Sequence, residues 1–156
     1  MSWEGYPPGT TDERTQLIGY LDLQRDAVVR KLDGLTEEQA RRSMVPSGTS
    51  LLWIVKHLTK AELIWIGRRF AGRDIALPTD TIDDDTIESV VGAYRAAWSE
   101  VDAIADAAPL DQPCDDTGSE AMVDLRWVLM HLLEETARHA GHADILRELL
   151  DGSTGR

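Results

Sequence analysis

The stretch from 131 to 150, HLLEETARHAGHADILRELL, holds three of the four histidines in the chain. At about 100° per residue, His131, Glu135, His139 and His142 fall on one helical face. Val128, Leu132, Ala143 and Leu146 lie on or beside that face, so the polar stripe points into a core. Glu134 and Glu148 project away from it toward solvent. An inward carboxylate needs a reason, because burying an uncompensated charge costs several kcal/mol or forces protonation. A cation held among the imidazoles would let Glu135 stay ionised.

The fourth histidine, His57, lies in LLWIVKHLTKAEL, where Trp53, Ile54, His57, Leu58, Ala61, Ile64 and Trp65 share a face. His57 therefore also looks inward. Glu135 and His139 stand one turn apart and can converge on one ion, and His57 completes a two-histidine, one-carboxylate set from another helix. Three protein ligands leave a coordination position open, as in catalytic rather than structural zinc. The set also suits iron and does not exclude nickel. The same spacing admits a plainer reading, in which Glu135 pairs with Arg138 or Arg30 and the histidines are satisfied core residues. His131, His142 and Arg138 are pocket candidates near the proposed ligands.

Helices must position these groups. The first runs from a cap at Thr11 or Asp12 to Leu32, with Leu17, Tyr20, Leu21 and Val28 at helical spacing and Gly34 as a stop. Thr36 and Gln39 stand in capping-box register for a short extra helix. A second long helix starts from a cap at Thr49 or Ser50 and stops at Gly72. The third, from about Thr86 to Ala107, carries an apolar stripe through Val90, Tyr94, Ala97, Val101 and Ile104. The last runs from about Met122 or Asp124 to Leu150. No apolar alternation marks a strand. Four long helices predict an all-α four-helix bundle forming a single domain over 1–156, with 1–11 as an N-terminal arm. The connection between the second and third helices is long enough for a crossover that leaves them parallel. The five tryptophans, Trp3, Trp53, Trp65, Trp98 and Trp127, read as core and end-cap filler.

Composition narrows the partners. A net charge of -12 disfavours nucleic-acid phosphates and anionic membrane surfaces, which call for basic patches. No apolar run reaches the length of a membrane span and no leader pattern opens the chain. The single cysteine, Cys114, builds neither an internal disulfide framework nor a CxxC site, which fits a reducing cytoplasm.

Two segments, KLDGLTEEQARRSMVPSGTSLLWIVKHL and LRWVLMHLLEETARHAGHADILRELLDG, closely resemble the actinobacterial branch of the DinB-like helical-bundle proteins. The likeness runs from about Asp12 to Gly152. It implies a four-helix bundle of unusual connectivity, with one metal ligand from the second helix and a pair one turn apart from the last. His57, Glu135 and His139 fall on those positions. Many relatives have histidine where this chain has Glu135, whereas the mycothiol-dependent maleylpyruvate isomerase relatives look similar in placing two histidines and a glutamate on zinc. The resemblance implies a metal-dependent S-transferase in which mycothiol, or a similar low-molecular-weight thiol, is activated as a thiolate to attack a small electrophile. A homodimer is part of the same implication. The competing function is a non-enzymatic metal-binding or dimerising stress-related bundle.

Overall fold

In the computed structural model, residues 6–7, 9–115 and 122–155 are described. Most of the expected N-terminal arm, with Trp3, lies outside them. The helices are α1 (Glu13–Arg30), α2 (Glu37–Arg41), α3 (Leu51–Glu62) continued by a π-helical segment (Leu63–Phe70), α4 (Ile87–Ala107) and α5 (Leu125–Asp151). Four long rods and one short helix form the all-helical bundle that the sequence predicts.

Side-chain caps set the starts. Asp12 accepts from the Thr15 amide at 2.8 Å, Ser50 from Trp53 and Asp124 from Trp127 at 2.9 Å. Each occupies one of the donors that a helix start leaves without an intrahelical partner. Thr36 with Gln39 and Thr86 with Ser89 form complete reciprocal boxes. Gly152, at φ +77°, closes α5 as its amide reaches the Glu148 carbonyl.

Two expected boundaries shift. α1 ends at Arg30 and not at Leu32, because the Lys31 and Leu32 amides turn back three residues, to Val28 and Val29. The second half of the predicted second helix is π-helical, with the Ala71 amide on the Ile66 carbonyl, five residues back. Gly67 sits in this wider segment, where an added Cβ would press on Ile75 Cδ1, so a side-chain-free position lets the following connector close down.

That connector, residues 71–86, retraces the rod it leaves. Arg68 donates to the Ile75 carbonyl, Lys60 reaches Asp80 at 2.6 Å and Lys56 reaches Asp85 at 2.5 Å. At the far end Arg73 pairs with Glu100, late in α4, at 2.9 Å. α4 therefore runs in the same direction as α3, while α1 packs chiefly along α5.

The core divides into two apolar clusters. One gathers Val28, Leu52, Ile54, Leu58, Val90, Tyr94, Ala140 and Ala143, the other Leu21, Ile66, Phe70, Val101, Leu125 and Leu132. Fully burying each large aliphatic side chain contributes about 1.5–3 kcal/mol before the ordering entropy is counted. Between the clusters lies a polar layer. Arg25, wholly buried between Leu21 and Val28 of α1, holds Glu62 through two bonds of 2.9 and 2.7 Å and also meets Asp22 and Asp102. Tyr20, expected on the apolar stripe of α1, is instead 40% exposed, and Trp127, expected as core or end-cap filler, is 43% exposed. Among the described residues, no helix is long and apolar enough to cross a membrane.

Candidate metal centre

α3 brings His57 and α5 brings Glu135 and His139 to one place, just on the α2-facing side of the polar layer. His57 Nε2 stands 3.0 Å from Glu135 Oε1, and His139 Nε2 stands 3.2 Å from the same oxygen. One potential ligand atom from each residue lies within 4.8 Å of the others. Ligands about 2.0–2.2 Å from a tetrahedral ion stand roughly 3.4 Å apart. The donor set thus fits a divalent cation in number, chemistry and spacing. Glu135 and His139 are mostly buried, and His57 is about a third open, at 32%.

Packing fixes the ligand orientations. The Trp53 ring lies flat on His57, with centroids 4.9 Å apart and planes within 10°. His142 meets His139 edge-on at 5.2 Å. Burial works to raise the Glu135 pKa, but the hydrogen bond from His57 and the charge of the two imidazoles outweigh it and hold the carboxyl below its ordinary range. His139 is held below its usual 6.5, by burial first and then by His57, with Glu135 pulling the other way. Both shifts favour the deprotonated forms that bind metals. His139 Nδ1 is buried with no partner among the described residues.

The arginine pairing that the sequence also allowed for Glu135 is met only in part. Arg138 is exposed, bonds directly to Glu134 and stays 3.8 Å from Glu135 Oε2. Arg30 makes no ion pair with Glu135 among the described residues. The remaining sequence candidates separate. His142 lines a cavity beside His139. His131 stands apart from the trio: it stacks on Trp127 at 5.2 Å and meets Trp65 at 4.5 Å, while Arg69 lies over the Trp65 ring.

Sequence reasoning missed the cavity and the polar layer. The cavity, about 410 Å³, is walled by Val45, Trp53, His139, His142, Ile145 and Leu146, with Ser47 and Thr49 at one side. It needs the 43–50 loop to pass beside α5, a long-range approach with no periodic signature. The polar layer did leave a signal. Arg25 and Glu62 occupy apolar-stripe positions, four residues from Leu21 and Leu58.

An all-helical bundle with an inward His/Glu/His cluster shared by two rods defines a class of helical proteins with a candidate metal site. A family model described as mycothiol-S-transferase matches residues 16–152, and the chain belongs to that family. Among solved structures, the crystal structure of a conserved protein from Enterococcus faecalis is similar, with a TM-score of 0.72 and 16% identity. The match covers 92% of this chain and all of the other, a likeness of fold alone. No curated protein matches the chain.

Proposed function

We propose that this protein is a metal-dependent thiol S-transferase in which His57, Glu135 and His139 hold one divalent cation, zinc foremost, with nickel or iron as the other ions the ligands suit. Mycothiol, or a similar low-molecular-weight thiol, is the co-substrate and a small electrophile the acceptor. One observation carries the reading: a single carboxylate oxygen faces two imidazole nitrogens from different helices at 3.0 and 3.2 Å, while the Arg138 guanidinium approaches only the other oxygen, Oε2, at 3.8 Å.

When bound, the cation would lower the pKa of a thiol and supply thiolate at neutral pH, where a free thiol near ~8.5 is scarcely ionised. The chain's own residues do the rest. Trp53 holds the plane of His57 and shuts water from one of its faces. Glu135 brings the negative charge that offsets the cation, and the nitrogen His57 turns toward it, Nε2, gives up its proton when it serves as a ligand. His142 and Arg138 lie nearest the ligands, and His142 is the better placed of the two to hand a proton to or from the thiol, since it faces the cavity while Arg138 is tied to Glu134. His131 serves as a packing residue between Trp65 and Trp127.

The test is thiol consumption by purified, metal-loaded protein with a model electrophile. We expect turnover that His57→Ala abolishes while the helical melt stays nearly unchanged. Equal rates in wild type and variant would reject catalysis at this site, and a collapsed melt would make the site structural.

A further inference from the structure

The cavity beside the cluster has a composition the proposed chemistry alone does not require. Among its walls are Val45, Trp53, Ile145 and Leu146, and no lysine, arginine, aspartate or glutamate lines it. Its two hydroxyl residues answer each other, Ser47 Oγ lying 3.0 Å from Thr49 Oγ1. Its imidazoles belong to His139, turned to Glu135, and His142, set against His139. Charged side chains gather instead on the other flank of His57, at Lys56, Lys60 and Asp80. At the rim, Ile145 is 58% exposed, an apolar group that an occupant would cover.

We propose that this cavity is the acceptor subsite, and that it takes the neutral, apolar body of the electrophile and not the thiol or an anionic acceptor. The inference rests on the S-transferase reading for its chemistry, but the cavity's preference is a property of its walls. A sugar-bearing thiol would bring many hydroxyls to a lining whose polar atoms are few, with Ser47 and Thr49 already bonded to each other. A carboxylate would find no cation in the lining. An alkyl or aryl group displaces water from Trp53, Ile145 and Leu146 and gains about 0.8 kcal/mol per methylene. The volume lies within the range of small-molecule sites, roughly 300–1,000 Å³. Because His139 belongs to both the cavity wall and the cluster, and Trp53 to both the wall and the platform under His57, a ligand seated there can hold its reactive carbon beside the cluster. In the transfer, the thiol sulfur forms a bond to that carbon as the carbon–halogen bond breaks. The halide leaves with the electron pair and the thiol proton passes, by way of His142, to solvent.

The experiment measures kcat/KM of metal-loaded protein for n-alkyl bromides from propyl to hexyl, whose intrinsic reactivity scarcely changes along the series. We expect a rise of about 4-fold per methylene, carried by KM for the bromide, with KM for the thiol constant. Bromoacetate should be a poorer substrate than neutral bromoacetamide, whose reacting carbon is activated in the same way. Ile145→Asp, at the exposed rim, should flatten the series at unchanged metal content and unchanged KM for the thiol. A second readout needs no turnover: calorimetric titration of 4-propylphenol, with and without chelation of the metal, should show binding that Ile145→Asp weakens about 10-fold or more. A flat series in wild type, preference for the anionic bromide, or absence of 4-propylphenol binding would overturn the subsite. If the phenol binds but no thiol is consumed, the S-transferase reading falls and the apolar site stands.

Discussion

Trp53 lies one turn before His57 on α3, and its ring covers the imidazole face to face at 4.9 Å. The same indole walls the apolar cavity. Orientation of a ligand and shape of a binding surface are thus vested in one side chain.

Replacing that ring should loosen the ligand without removing it. Trp53→Leu keeps an apolar residue on α3 but frees the His57 torsions, and lost outer support of this kind costs about 10–100-fold in metal affinity. Competition with a chromophoric chelator measures it. An unchanged affinity would mean that Glu135 alone orients His57.

Acid should strip the site late. Protons compete with a cation for Glu135 and His139, and both groups are held below their ordinary values, so competition begins at lower pH than for free side chains. Metal occupancy is expected to be full at neutral pH, to persist below 6.5, and then to be lost as the pH falls through the titration of His139. Metal retained after gel filtration at stepped pH values reads this directly. Loss already complete above 6.5 contradicts it.

His131 offers a control within the same helix. Its ring is sandwiched by Trp127 and Trp65 and stands outside the cluster. His131→Phe should preserve that stacking and leave the metal stoichiometry unchanged, by elemental analysis. Loss of the metal would return His131 to the ligand set.

The buried Arg25–Glu62 pair sets a stability prediction. Burial, the largest influence, pushes Glu62 up to about 7 against the pull of Arg25. The folded state therefore holds a proton that the unfolded chain releases near 4.5, so this group's contribution is fully present below about 4.5 and declines as the pH rises toward about 7. Above about pH 7, where Glu62 is ionised, Arg25→Met leaves it without its partner and should cost about 3–5 kcal/mol, whereas Arg25→Met with Glu62→Leu should recover most of that. Urea unfolding of the single and double variants decides it. A double variant as unstable as the single would show that Arg25 acts through packing on Trp98, over whose ring it lies at 5.6 Å.

Much of this was legible before any coordinates. Capping chemistry is local, so Asp12, Thr36, Ser50, Thr86 and Asp124 could be read as helix starts from residue type and spacing, and they cap the helices observed. The spacing of Glu135 and His139 on an apolar face brought them together with His57 because the faces that carry them have to meet in a bundle. The π segment was not legible, since one extra residue per turn over eight residues barely alters an apolar stripe. Nor was the exposure of Tyr20, which depends on the arm and neighbours of α1 and not on α1 itself. The cavity arises where Val45 in a loop meets Ile145 on α5, a hundred residues apart in sequence. Arg25 and Glu62 stood in the stripes as charged exceptions, and their mutual distance was the missing fact.

The central claim is that His57, Glu135 and His139 jointly hold a cation, and elemental analysis of the purified protein beside His57→Ala tests it most directly. The expected result is about one divalent ion per chain in the wild type and loss of most of it in the variant with the helical fold retained. Wild-type protein that stays metal-free after incubation with zinc, or a variant that binds the ion as fully as wild type, would contradict it.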